Sequence, residues 1–214
     1  KLAACEHSPD HRYLAYAVDT NGSEIFTLRV RDLDGGEDLP DAIENVSGGF
    51  EWANDSCTLF YTILDDNHRP CAVRRHQLGE AVGEDGEVYR EADPGFFVSI
   101  GKTESQRFLV IDAHDHQTSE AWVLDADDLS GNWRLIAKRD IGHEYEISDW
   151  HGAFLIRTND AGAEDFKIVT TPYDKPGREN WSEVVAHEPG RLILGLQAFK
   201  NFWVRLERVN ALPR

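Results

Sequence analysis

The serine nearest to a hydrolase context is Ser47, in Asn45-Val46-Ser47-Gly48-Gly49. A nucleophile elbow needs Gly-x-Ser-x-Gly, because the sharp strand-to-helix turn that lifts the hydroxyl toward its base tolerates only small neighbours. Asn45 stands where the first glycine should be and no helical pattern follows, so the segment reads as a turn between repeats. His114-x-His116 would place two imidazoles on one face of a strand, with Asp112 and Asp115 as further metal ligands. Its position between two strand-like runs makes it read instead as a solvated hairpin loop. The acidic runs 32–38 and 125–128 offer oxygens to a hard cation, but the glycine and final glutamate of an EF-hand loop are not at their required spacings, and turns are expected. A carboxylate pair could hydrolyse a glycoside only at a separation in space that spacing along the chain does not give. Six tryptophans, Trp52, Trp150 and Trp203 among them, suit either a stacking surface or packing between repeats, and packing is the expectation. No residue is therefore assigned a catalytic, cofactor-binding or metal-binding role.

The elements that carry these residues repeat. Apolar, β-rich runs begin at Tyr13, Leu59, Phe108, Phe154 and Phe202, separated by 46, 49, 46 and 48 residues. Each step has room for about four strands of ~5–6 residues joined by loops of ~2–5. Further strand-like runs lie at 25–30, 71–75, 87–90, 121–124, 133–137, 166–169 and 184–186. Asn21-Gly22, Ser8-Pro9-Asp10 and Ala53-Asn54-Asp55-Ser56 supply turn chemistry. Helical periodicity is scarce. The fold class predicted is all-β: an incomplete β-propeller of four-stranded antiparallel blades, with repeats at 1–47, 48–94, 95–142 and 143–190 and a partial fifth at 191–214. A β-sandwich is the alternative. Only about half of a fifth blade fits, so the sequence predicts a truncated ring with exposed flanks, and hence self-association or poor order after about Gly190.

Seven stretches carry a resemblance: Ser8 to Tyr16, Asp19 to Ile25, Trp52 to Ser56, Lys102-Thr103, Thr118-Ser119-Glu120, Leu124-Asp125-Ala126 and His143-Glu144-Tyr145. In this order and at this spacing they resemble the propeller of the oligopeptidase B group within the prolyl oligopeptidase family. The resemblance implies a cytoplasmic serine peptidase that cuts short peptides after Arg or Lys. Its α/β-hydrolase domain would carry the Ser, Asp and His, and its seven-bladed propeller would exclude folded proteins. Only the first part of that propeller is matched, and the hydrolase domain is absent. On this reading the chain gates substrate and docks onto the hydrolase domain, with Asp19 and Glu24 as interdomain contacts. An independent propeller that binds or cleaves a glycan or another small ligand is the second reading.

Composition narrows the partners. With 39 acidic and 22 basic residues, the net charge of −17 repels nucleic-acid phosphates and anionic lipid. Three cysteines without C-x-x-C spacing argue for neither a disulfide framework nor a zinc site, and fit a reducing cytoplasm. The first ten residues lack signal-peptide character, and no apolar run approaches the roughly 18 residues of a spanning helix. The Asn-x-Ser triplets at Asn21, Asn45, Asn54 and Asn180 read as turn chemistry.

Overall fold

A computed structural model describes residues 1–213. Its strands are β1 (Leu2–His7), β2 (Tyr13–Val18), β3 (Phe26–Asp32), β4 (Asp38–Trp52), β5 (Thr58–Leu64), β6 (Pro70–Gln77), β7 (Gly86–Arg90), β8 (Phe97–Lys102) and β9 (Phe108–His114). They continue with β10 (Ser119–Asp125), β11 (Arg134–Leu135), β12 (Tyr145–Trp150), β13 (Ala153–Thr158), β14 (Lys167–Pro172), β15 (Ser182–Val185), β16 (Arg191–Ala198), β17 (Trp203–Val209) and β18 (Leu212–Pro213). The only helical segments among the described residues are three single turns of 3₁₀ helix. The runs from Tyr13, Leu59, Phe108, Phe154 and Phe202 correspond to β2, β5, β9, β13 and β17.

Two compact units partition the chain. The first holds residues 1–102 and 124–131, the second 103–123 and 132–214, so the strands of the third repeat are divided between them.

The first unit contains a seven-stranded antiparallel sheet in the order β1 to β7. Two groups of four strands share one member, β4, where a turn between repeats was expected. Its first part pairs with β3 and its last part with β5, with a register break between Val46 and Phe50. Asn45 (φ 61°) and Gly48 (φ 97°) re-aim the strand at that break. Gly48 also needs its missing side chain, since a Cβ there would stand 2.7 Å from the Ala3 Cβ. Alternation is clean in β3, which turns Phe26, Leu28 and Val30 inward. In β5 the run Thr58 to Thr62 is buried on both faces, which is why it is apolar almost throughout. These strands enclose a core around Trp52, Leu28, Leu59 and Tyr61.

In the second unit β12 to β15 form a four-stranded antiparallel sheet and β16 to β18 a three-stranded one. Phe108, Tyr145, Phe154 and Ile156 lie in its larger core. The strand expected over 133–137 is reduced to the two residues of β11. Tyr145 takes over where the ladder stops: its buried hydroxyl accepts from the Ala121 and Ala137 amides, at 2.7 and 3.3 Å, and donates to the Ala137 carbonyl at 2.8 Å. Burial pushes that phenol's pKa up.

Candidate functional site

The segments singled out from sequence have structural employment. Ser47 lies inside β4, with its hydroxyl hydrogen-bonded to Thr62 Oγ1, rather than on a strand-to-helix turn. His114 closes β9 and faces Asp112 at 2.7 Å, while His116 falls in the following turn, so the two rings do not share a strand face. Asp32 accepts the amides of Asp34 and Gly35, and Asp125 that of Asp127, as turn carboxylates do. Asp19 is 2% exposed, and its carboxylate accepts the amides of Asn21 and Gly22 on one oxygen and of Glu24 on the other. Those bonds, the one from Glu24 foremost, hold its pKa at about 2. The turn it organises projects Glu24, whose exposed side chain meets Lys1 Nζ at 2.6 Å.

Spacing did not reveal the charges buried where a first strand meets its hairpin. In the first unit Glu51, near the end of β4, lies 3.5 Å from Lys102 Nζ at the end of β8. Glu51 also accepts the Trp52 amide at 2.9 Å, and Lys102 donates to Asn54 Oδ1 at 3.2 Å. Burial raises the Glu51 carboxyl to about 7, with Glu6 pushing the same way against the pull of Lys102. A carboxyl poised near neutrality is one mark of a functional site.

In the second unit three hairpins border a cleft of about 530 Å³: Glu104 and Ser105 from the β8–β9 turn, Asp149 to His151 at the end of β12, and Ala198 to Lys200 at the end of β16. Asp149 is 3% exposed. One of its oxygens accepts the Ser105 hydroxyl at 2.7 Å and the Tyr173 hydroxyl at 3.0 Å; the other, Oδ1, has no donor. Burial first, then the Asp149 charge, raises the Tyr173 phenol to about 12. The Trp150 indole donates to the Phe199 carbonyl at 3.0 Å, and His151 Nε2 to that of Lys200 at 2.8 Å. A serine, an aspartate and a histidine thus meet in one cleft, wired unlike a hydrolytic triad. The serine donates to the carboxylate and the histidine to a backbone carbonyl, so no base is set to take the hydroxyl proton. The arrangement can hold a cation. The signal that could have found these residues is one charge just before each hairpin: Glu51-Trp52, Lys102-Thr103 and Asp149-Trp150.

The whole chain, residues 1–214, matches the family described as prolyl oligopeptidase, N-terminal beta-propeller domain. The chain belongs to this family. It is 38% identical over 208 residues to dipeptidyl aminopeptidase BI of Pseudoxanthomonas mexicana, covering 97% of this chain and 29% of that protein. Protease 2 of Moraxella lacunata is 32% identical over 208 residues, with 96% and 30% covered. Among solved structures, oligopeptidase B from Leishmania major aligns with a TM-score of 0.92 at 25% identity, covering 100% of this chain and 30% of that one. Oligopeptidase B from Trypanosoma brucei aligns at 0.91 and 26% identity, again over 100% and 30%. The chain therefore spans about a third or less of the relatives it matches. The all-β, antiparallel organisation is that of the family's propeller.

Proposed function

We propose that this chain is the gating and docking part of a serine oligopeptidase that cleaves short peptides after Arg or Lys. What carries the reading is the family match over residues 1–214, together with relatives more than three times as long. The repeats 1–47, 48–94, 95–142, 143–190 and 191–214 serve as four blades and part of a fifth. They screen access to an α/β-hydrolase domain of the same protein. The turn held by Asp19 presents Glu24 to that domain. A cytoplasmic setting is proposed too, supported by the three free cysteines. No helix among the described residues is long and apolar enough to cross a membrane.

The test is activity with and without the flanking coding sequence. Expressed with it, the protein is expected to cleave a short Arg- or Lys-containing peptide and to spare a folded protein that displays the same residues in a surface loop. The 214-residue chain alone is expected to cleave neither. Equal rates on both substrates would remove the gating role, and turnover by the chain alone that a point mutation abolishes would remove the division of labour.

The chain alone is also expected to self-associate. Val204 and Leu206 sit at alternate positions on one face of β17, 46% and 50% exposed, and Phe202 just before the strand and Phe199 are 56% and 42% exposed. Light scattering over a concentration series should show mass rising with concentration. A monomer at every concentration, with protected amides after Gly190, would instead favour the independent ligand-binding module. That second reading also draws support from the aromatic cleft at Asp149.

A further inference from the structure

We propose that the cleft bordered by Ser105, Asp149, Trp150 and Phe199 binds a primary alkylammonium group, with the Asp149 carboxylate as counter-charge. This is independent of the peptidase reading. Asp149 is almost wholly buried, and its two oxygens are unequal: Oδ2 accepts two hydroxyls, and Oδ1 none. A desolvated carboxylate oxygen without a donor is unfavourable, and a charged N–H relieves it more than a neutral one.

The occupancy of the carboxylate selects the cation. A guanidinium fork needs two free oxygens for bidentate pairing, whereas a compact ammonium needs one. Oδ1 is closed to solvent, so the ligand reaches it by displacing the side chains that cover it, while Ser105 and Tyr173 keep Oδ2. The aromatic rings of Trp150 and Phe199 suit an alkyl stem and the edge of its charge. Trp150 has already committed its indole N–H to the Phe199 carbonyl, so it offers its ring rather than a donor. Of the charged groups at the cleft, Glu104 adds attraction and Lys200 opposes it. At about 530 Å³ the cleft falls in the ordinary range for small ligands.

Calorimetric titration of the 214-residue chain with n-butylamine, n-butylguanidine and lysine blocked at both termini tests the proposal. Saturable one-site binding of the amine is expected, with the guanidine about tenfold weaker. Asp149→Asn should weaken the amine about tenfold or more, and Phe199→Ala, at an exposed position, several-fold. Ser105→Ala should narrow the gap between amine and guanidine, because it removes one donor from Oδ2. Blocked lysine binding more tightly than butylamine would identify a peptide side chain as the ligand, and the reverse a free amine; either supports the site. No saturable amine binding overturns it, as does unchanged affinity in Phe199→Ala together with an unaltered amine-to-guanidine ratio in Ser105→Ala. Those two comparisons decide the matter even if Asp149→Asn fails to fold.

Discussion

Replacing His76 by leucine is expected to lower the unfolding free energy by about 3–5 kcal/mol at neutral pH. His76 is fully buried on β6, with Nε2 at 3.0 Å from Asp41 Oδ1 and Nδ1 at 2.7 Å from Asp85 Oδ1. Each ring nitrogen thus meets a carboxyl oxygen at hydrogen-bond distance, and the ring ties two buried acids together. Each acid has a second donor: the Gly79 amide donates to Asp41 Oδ1 at 2.7 Å, and the Tyr61 hydroxyl to Asp85 Oδ2 at 2.7 Å. Leucine removes both ring partners at once and leaves two acidic side chains, 3% and 2% exposed, in a low-dielectric core without them. Adding Asp41→Asn and Asp85→Asn to the leucine variant should recover much of the loss, since amide oxygens can still accept from Gly79 and Tyr61 while no buried acid is left without its partner. Urea denaturation of the single and triple variants makes the comparison. A single-variant loss below about 1 kcal/mol, or no recovery in the triple, would show that packing rather than charge governs this cluster.

What the sequence made legible, and what it did not, divides along physical lines. The second strands of the repeats are the most buried, so β5, β9 and β13 write themselves as apolar runs and their period could be counted. The first strands are the opposite case: β1 is mostly exposed, and nothing in Leu2 to His7 alternates. β4 was the hardest to read, because Ser47-Gly48-Gly49 looks like a turn locally and becomes a strand only when β3 and β5 pair with its two parts. The same limit applied to chemistry. Asp41, His76 and Asp85 are 35 and 9 residues apart and carry no spacing motif, yet the histidine bridges two buried acids. Asp149 was equally silent, because Ser105 reaches it from the preceding repeat and Tyr173 from 24 residues further along its own.

Glu51 should give the protein a stability that falls as pH rises toward neutrality, against the usual direction for a carboxyl. In the unfolded chain its carboxyl titrates near 4.5; in the fold, burial and the neighbouring Glu6 raise it to about 7. Between those two values the folded state keeps a proton that the unfolded chain has released, so the unfolded state binds fewer protons and stability declines with pH across the window. Above about pH 7 the contribution is flat. The gap corresponds to about 3 kcal/mol, since the side chain is only 11% exposed and little screened. Carboxylates such as Asp19, held at about 2, act in the opposite sense at lower pH and do so in wild type and variant alike. The difference between wild type and Glu51→Gln therefore isolates this residue: glutamine should gain about 3 kcal/mol relative to wild type between pH 4.5 and 8, whatever its offset at the acid end. Chemical denaturation at half-unit steps of pH would read it, and parallel curves for the two proteins would end the argument. Lys102→Met supplies the complementary test. The ammonium at 3.5 Å is what holds the Glu51 carboxyl down against burial, so removing it should carry the decline to higher pH rather than abolish it.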